Sequence, residues 1–246
     1  MIACNCRVCS STDSRDKRLR SSILVQYQAF NLVVDTTPDF RYQMLRAQVK
    51  HLDAILITHG HKDHIAGMDD VRAFNYFQGN PVDIYASLST QESIRREFGY
   101  AFSKSRYPGV PEITLHSISD QPFEILHFPI QPIPVMHYQM PVLGFRMGPF
   151  TYITDANFIG EESKELIRGS EVLVLNALRK EAHISHFSLQ QAISLAQELE
   201  IPNTYLTHIS HQLGLHEEVS GELPPGIHLA FDTLEIWPGE NGINLY

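Results

Sequence analysis

Apolar residues recur along the chain in two patterns, short extended runs and stripes at helical spacing, and together they predict a mixed α/β protein. Residues 22–28 and 31–35 read as a strand pair joined by a short turn. Residues 38–49 carry an amphipathic helical stripe, and 52–58, Leu-Asp-Ala-Ile-Leu-Ile-Thr, is a buried strand. A helix is expected over 64–77, a strand over 82–86 and a helix over 89–102, opened by Ser89 with Glu92 at capping-box spacing. Residues 103–111 form a loop.

Beyond residue 112 the pattern turns to strands: 113–118, 123–128 and 130–137, with prolines limiting their interior pairing. Residues 142–147 and 150–154 predict a hairpin through Gly148-Pro149. A helix over 161–168, a strand over 171–176, a helix over 188–200 and a strand over 204–207 follow, and 228–231 with 234–237 predict a final hairpin. The expectation is one domain, 1–246, built from two pseudo-halves, about 1–112 and 113–246. Chemistry in α/β proteins gathers at strand ends, so the residues just past each strand matter most.

Composition narrows the class. The chain has 246 residues, 43% apolar and 19% charged, with a formal charge of −9. That is ordinary for a globular protein with a substantial core. An acidic chain disfavours long nucleic acid as a partner, since phosphate backbones call for clustered Lys and Arg. It leaves room for a small phosphorylated substrate where bound metal ions supply positive charge. No apolar run reaches membrane-spanning length, so no membrane partner is expected. Neither a secretory signal nor a disulfide framework is evident, which makes the expected compartment cytoplasmic. Nothing in the composition decides the oligomeric state, and a homodimer is allowed.

The densest chemistry lies in His59-Gly-His61-Lys-Asp63-His64, directly after the buried strand. Imidazoles and a carboxylate suit zinc, manganese or iron. Four such groups within six positions strain to serve one tetrahedral ion, and two ions sharing the loop is the easier arrangement. A second cluster, Cys4-Asn-Cys6-Arg-Val-Cys9, offers three soft ligands at a spacing that favours a closed structural zinc site, with a fourth ligand missing locally.

The run Thr58-His-Gly-His-Lys-Asp-His64, followed by Gly67, resembles the HxHxDH signature of the metallo-β-lactamase superfamily. That resemblance implies an αβ/βα four-layer sandwich, two β-sheets flanked by helices. It also implies three further ligands at later strand ends. His137, Asp155 in Tyr-Ile-Thr-Asp, and His208 in Tyr-Leu-Thr-His stand there in order. By the resemblance His59, His61 and His137 hold one metal, Asp63, His64 and His208 the second, and Asp155 bridges both. With His208 so placed, His211 of Thr-His-Ile-Ser-His completes a Cys4, Cys6, Cys9, His211 zinc site.

The cysteine cluster, the Thr-His-Ile-Ser-His phrase, Gly67-Met-Asp-Asp70-Val-Arg72 and Phe231-Asp232-Thr-Leu-Glu-Ile236 together resemble the PhnP-like branch, phosphoribosyl 1,2-cyclic phosphate phosphodiesterases. In relatives a Gly-Thr-Gly-rich strand precedes the cysteines, whereas Cys4 stands near the first residue here, so either the start is mis-assigned or the first sheet has lost a strand. His186 matches the branch's non-ligand active-site histidine. The implied activity is a binuclear metal phosphodiesterase. Two zinc or manganese ions and a metal-bridged hydroxide would cleave a small phosphate ester, with a cyclic ribose or nucleotide phosphate as one candidate. Asp63 would hold or accept the water proton. His186 would protonate the leaving oxygen or hydrogen-bond a phosphate oxygen. Arg72 is a weak candidate for a substrate phosphate, against a salt bridge to Asp69 or Asp70. Asp35 and Asp232 are candidates to orient metal-bound histidines. His183 reads as a surface residue. Two alternatives stay open: a metal-binding accessory or carrier protein resembling PqqB, and an enzyme resembling the tRNA 3′-processing nucleases.

Overall fold

A computed structural model describes residues 1–105 and 107–238, and 243–245 as backbone. The chain divides into two compact units. The first comprises Arg20–Ser119 with Glu235–Tyr246, and the second Met1–Leu19 with Asp120–Leu234.

The first unit opens with the antiparallel pair β1 (Ile23–Tyr27) and β2 (Phe30–Val34), then α1 (Phe40–Arg46) and β3 (Ala54–Leu56). There follow α2 (Lys62–Ile65), α3 (Arg72–Gln78), β4 (Val82–Ala86), α4 (Leu88–Glu97) and β5 (Ile113–Ser117). Strands β2 to β5 run parallel in that order. Leu32 and Val33 of β2 and Ala54, Ile55 and Leu56 of β3 are fully buried, as expected of parallel strands covered on both faces.

Two expectations are corrected here. The helix predicted over 64–77 is broken into α2, a short 3₁₀ turn at Met68–Val71 and α3. The break falls at Gly67, whose N–H donates to the Thr36 carbonyl and whose absent Cβ would meet the Thr37 carbonyl oxygen at 2.0 Å. Only glycine allows so close an approach to the segment that follows β2. The cap of α4 is Ser87, not Ser89. Ser87 is the first residue after β4, has extended backbone and accepts from the Thr90 N–H at 3.3 Å.

The second unit holds the seven-stranded order β12-β11-β10-β9-β8-β7-β6. Strands β6 (Phe123–Ile125), β7 (Phe128–His137), β8 (Met140–Met147) and β9 (Phe150–Ile153) form an antiparallel meander. Beyond the reach of β6, Pro132 and Pro134 occupy a stretch of β7 that pairs with β8. Then come α5 (Glu161–Ile167), β10 (Val172–Asn176), α6 (Leu189–Glu198), β11 (Asn203–Thr207), α7 (His216–Ser220) and β12 (Ile227–Leu229), with β9 to β12 parallel. Ile133, Leu173, Leu175 and Leu206 are fully buried against the apolar side of α6. Ser188 and Gln191 cap α6 reciprocally.

The predicted final hairpin is also corrected. β12 pairs in parallel with β11, and among the described residues no hairpin joins it to 234–237. The unpredicted last strand, β13 (Ile243–Leu245), pairs antiparallel with β1 and brings the first sheet to six strands.

Candidate metal centre

In the first unit the histidine loop is built on one buried carboxylate. Asp35, the first residue after β2, is fully buried and takes a left-handed backbone conformation, φ 68°. Its Oδ1 accepts from the Thr58 N–H at 2.9 Å, and its Oδ2 accepts from the Thr58 hydroxyl at 2.9 Å and from His64 Nδ1 at 2.7 Å. The Thr58 hydroxyl has one proton and gives it to Asp35, so its oxygen accepts from His59 Nδ1 at 3.0 Å. Both imidazoles therefore carry their proton on Nδ1 and present Nε2 as a lone pair, the tautomer a metal ligand needs. The His59 and His64 rings are 4.2 Å apart between centroids, and His59 and His61 4.6 Å. Asp63 Oδ2 lies 3.9 Å from His64 Nε2 and 3.6 Å from Arg20 Nη1.

In the second unit the expected residues again stand at strand ends. His137 closes β7, and its Nδ1 donates to the Ser185 carbonyl at 2.7 Å, which leaves Nε2 as the lone-pair nitrogen. Asp155 and His208 follow β9 and β11 and are both left-handed, φ 55° and 53°. Left-handed backbone is uncommon outside glycine, and where it occurs it clusters at functional sites. Asn176, at the end of β10, helps to hold the bend after Asp155: its amide accepts from the Ala156 N–H and donates to the Ala156 carbonyl. Asp155 Oδ1 lies 2.9 Å from His208 Nε2 and 3.3 Å from His186 Nδ1. Asp155, His186 and His208 offer ligand atoms all within 4.8 Å of one another, close enough for a shared ion. Burial pushes the His186 pKa down to about 3 against the opposing pull of Asp155, so the ring is neutral at pH 7.

His183 is partly exposed and also lies beside His186. Its ring is 5.0 Å from that of His186, and its Nδ1 accepts from the Ser185 N–H. The 183–186 turn thus links His183, the Ser185 carbonyl that orients His137, and His186. Asp232 accepts from the Leu19 N–H at 3.2 Å, and Arg72 pairs with Asp69 at 3.4 Å. Sequence reasoning missed Thr58, Ser185, Asn176 and Arg20. Thr58 acts through a hydroxyl relay and Ser185 through its backbone carbonyl, which no local motif displays.

The second unit also holds the cysteine cluster. His211 Nδ1 lies 3.5 Å from Cys4 Sγ and 3.4 Å from Cys6 Sγ. The four ligand atoms of Cys4, Cys6, Cys9 and His211 fall within 4.8 Å of one another. The Cys9 N–H and His211 draw the Cys6 thiol down to about 6. Three thiols and one imidazole at this spacing fit a closed tetrahedral zinc site.

Residues 30–209 match the Beta-lactamase superfamily domain. A crystal structure of a new diphosphatase from the PhnP family is 40% identical and superposes with a TM-score of 0.90, covering 97% of this chain and 92% of that one. The chain belongs to the β-lactamase superfamily, in its PhnP branch. Membership accounts for the metallo-β-lactamase fold, two sheets with flanking helices, and for a donor set suited to divalent metals. Zinc-bound PqqB from Methylobacterium extorquens, 20% identical with a TM-score of 0.73 over 95% of this chain and 93% of that one, shares the superfamily fold. An octanoyltransferase of Porphyromonas gingivalis (strain ATCC BAA-308 / W83) is 37% identical over 99% of this chain, which spans 50% of that relative. The other curated proteins matched are also longer, and the chain spans about a third of each. No helix among the described residues is long and apolar enough to cross a membrane.

Proposed function

We propose that the chain is a binuclear metal phosphodiesterase acting on a small phosphate ester, with a cyclic ribose or nucleotide phosphate as one candidate. By the order of the superfamily motif, His59, His61 and His137 would hold one divalent ion and Asp63, His64 and His208 the other, with Asp155 between them. Zinc and manganese both suit this mixed imidazole and carboxylate set. Two such ions supply a nucleophilic oxygen at neutral pH and a clamp for phosphate oxygens.

The observation that carries the proposal is the Asp35–Thr58 relay, which sets two histidines at once in the ligand tautomer. A polar loop without a metal has no need of a buried carboxylate spent on tautomer control. Ser185 does the same for His137. Asp63, half-buried, is the carboxylate placed to accept a proton from an attacking water. His186 hydrogen-bonds a phosphate oxygen or the leaving oxygen. The Cys4, Cys6, Cys9, His211 site holds a structural zinc that ties the N-terminal segment to the residues after β11.

Likeness to an octanoyltransferase does not move this assignment. The chain spans half of that protein, and its three thiols, the usual acyl nucleophiles, are gathered around His211. The test is hydrolysis of bis-p-nitrophenyl phosphate and of 2′,3′-cyclic nucleotides after loading with manganese or zinc. Turnover of either is expected. No turnover of any phosphodiester, with both ions measured as bound, overturns the proposal and favours a carrier role of the PqqB kind.

A further inference from the structure

We infer that His183 is a further catalytic residue, whose Nε2–H hydrogen-bonds the leaving oxygen of the ester while His186 faces the phosphate being cleaved. The inference rests on the phosphodiesterase proposal above and goes beyond it.

His183 stands in a closed loop. The Leu178 N–H donates to the Phe187 carbonyl at 3.0 Å and shuts its neck, and the Leu189 N–H donates to the Arg179 carbonyl at 2.8 Å. The Arg179 guanidinium braces the loop, donating from Nη2 to the Ala182 carbonyl at 2.9 Å and from Nη1 to Gln212 Oε1 at 3.1 Å. The Phe187 N–H donates to the Ala156 carbonyl at 2.8 Å, so the loop is anchored one residue from Asp155.

The proton on the His183 ring is placed by a neighbour. Its Nδ1 accepts from the Ser185 backbone N–H at 3.3 Å, and the Ser185 hydroxyl lies at the same distance. The neutral ring therefore carries its proton on Nε2. The Ser185 carbonyl accepts from His137, so one residue sets both tautomers. Asn, Asp or Ser at 183 would close the same turn through a shorter side chain. What the imidazole adds is a second nitrogen, a donor beyond the turn. That Nε2 has no hydrogen-bond partner among the described residues.

Ring packing gives the donor its place. His186 lies 4.6 Å from His137 and 5.0 Å from His208 between ring centroids, and its Nδ1 is 3.3 Å from Asp155 Oδ1. His183 packs 5.0 Å from His186 and is half-buried. It is the next ring outward from the residues assigned to the metals. In hydrolysis the attacking water supplies the oxygen of the new P–O bond, and the bond to the leaving oxygen breaks with its electron pair. The proton that the water gives up reaches that oxygen through solvent. A neutral imidazole shares its N–H with the leaving oxygen as charge grows there, and keeps its own proton. The phosphate is held at the metals and the leaving group extends outward, so the outer ring is the one that meets the leaving oxygen.

The experiment compares wild type, His183→Asn, His183→Gln and Lys180→Ala, all zinc-loaded and with metal content measured. Asn keeps an acceptor for the Ser185 N–H and lacks the distal donor, whereas Gln carries an amide N–H out toward the position of Nε2. Lys180, in an exposed ion pair with Glu222, is the control from the same loop. The substrates are bis-p-nitrophenyl phosphate, whose phenolate leaves readily, and 2′,3′-cyclic AMP, whose alkoxide does not. His183→Asn should lower kcat for the cyclic nucleotide at least about tenfold more than for the aryl ester, with KM within about threefold and metal content unchanged. His183→Gln should recover part of that loss, and Lys180→Ala should leave the ratio of the two substrates within about twofold. Equal loss on both substrates, loss of metal, or no loss in His183→Asn would make His183 a turn residue and overturn the inference. A second readout needs no turnover. With ring nitrogens labelled, His183 should show the Nε2–H tautomer, and its signal should shift more with adenosine 3′-monophosphate than with inorganic phosphate. If wild type cleaves neither substrate, the hydrolytic proposal fails and this titration alone decides. A shift supports the contact to an ester oxygen, and an unmoved signal overturns it.

Discussion

Asp35 Oδ2 accepts from His64 Nδ1 at 2.7 Å, and both side chains are almost wholly buried. The contact sets the tautomer of His64 directly and, through Thr58, that of His59. Replacing Asp35 by Asn keeps the size and tolerates the left-handed backbone, but places an amide where two protons need an acceptor. Asp35→Asn should weaken metal affinity by about 10- to 100-fold. Metal content after dialysis against a graded chelator checks it, and full retention would show that the carboxylate does not govern the ligands.

His211 is the one non-thiol in the cysteine cluster. His211→Ala should release one zinc equivalent and lower the melting temperature, because a structural zinc contributes directly to folding stability. The metals assigned to His59, His61, His64, Asp155 and His208 should remain. Loss of those ions, with zinc kept at the cysteines, would mean that the roles of His208 and His211 are exchanged.

His186 lies 3.3 Å from Asp155 and against the rings of His137 and His208. For His186→Ala the expected result is a fall in turnover of about 10²- to 10⁴-fold with metal content unchanged. If metal is lost with activity, His186 is itself a ligand, as its grouping with Asp155 and His208 allows. Turnover near the wild-type value would leave it a packing residue.

His216 gives a pH prediction away from the metals. It is buried, its Nδ1 accepts from Arg18 Nη2 at 3.1 Å, and its backbone N–H donates to Asp16 Oδ1. Burial first, and then Arg18 and Arg15, lower its pKa below 6.5, opposed by Asp13 and Asp16. The unfolded chain therefore binds the proton more readily than the folded one. The stability associated with His216 is fully present above about pH 6.5 and is lost as the pH falls toward the folded value. His216→Asn keeps an acceptor for Arg18 without a titrating ring, so its loss of stability between pH 7.5 and 5.5 should be smaller. Urea denaturation at the two pH values measures this, and equal slopes for the two proteins would exclude His216 as the group responsible.

What could be read in the sequence is what lies close along the chain. His59, His61, Asp63 and His64 come from one loop after one strand, and Cys4, Cys6 and Cys9 from one short segment, so spacing alone marked them as candidate ligands. His137, Asp155 and His208 were singled out by the superfamily resemblance, which expects further ligands at later strand ends. The boundaries that failed were those governed by contacts across elements: the helix broken at Gly67 because the Thr37 carbonyl leaves no room for a Cβ, and the last strands, whose pairing with β11 and β1 no local pattern states.

By itself, then, the sequence determined the donor types, their order and the superfamily, because ligand chemistry depends on residue identity and on local spacing. Only the tertiary structure decided which nitrogen of His59, His64 and His137 is the lone pair and which cation of Arg20, Lys62 and Arg72 faces Asp63. Those depend on where a proton sits in a hydrogen-bond network assembled from β2, β3 and the 183–186 turn, and on which partner each long side chain reaches. Distance in space settles both, and distance along the chain does not encode it.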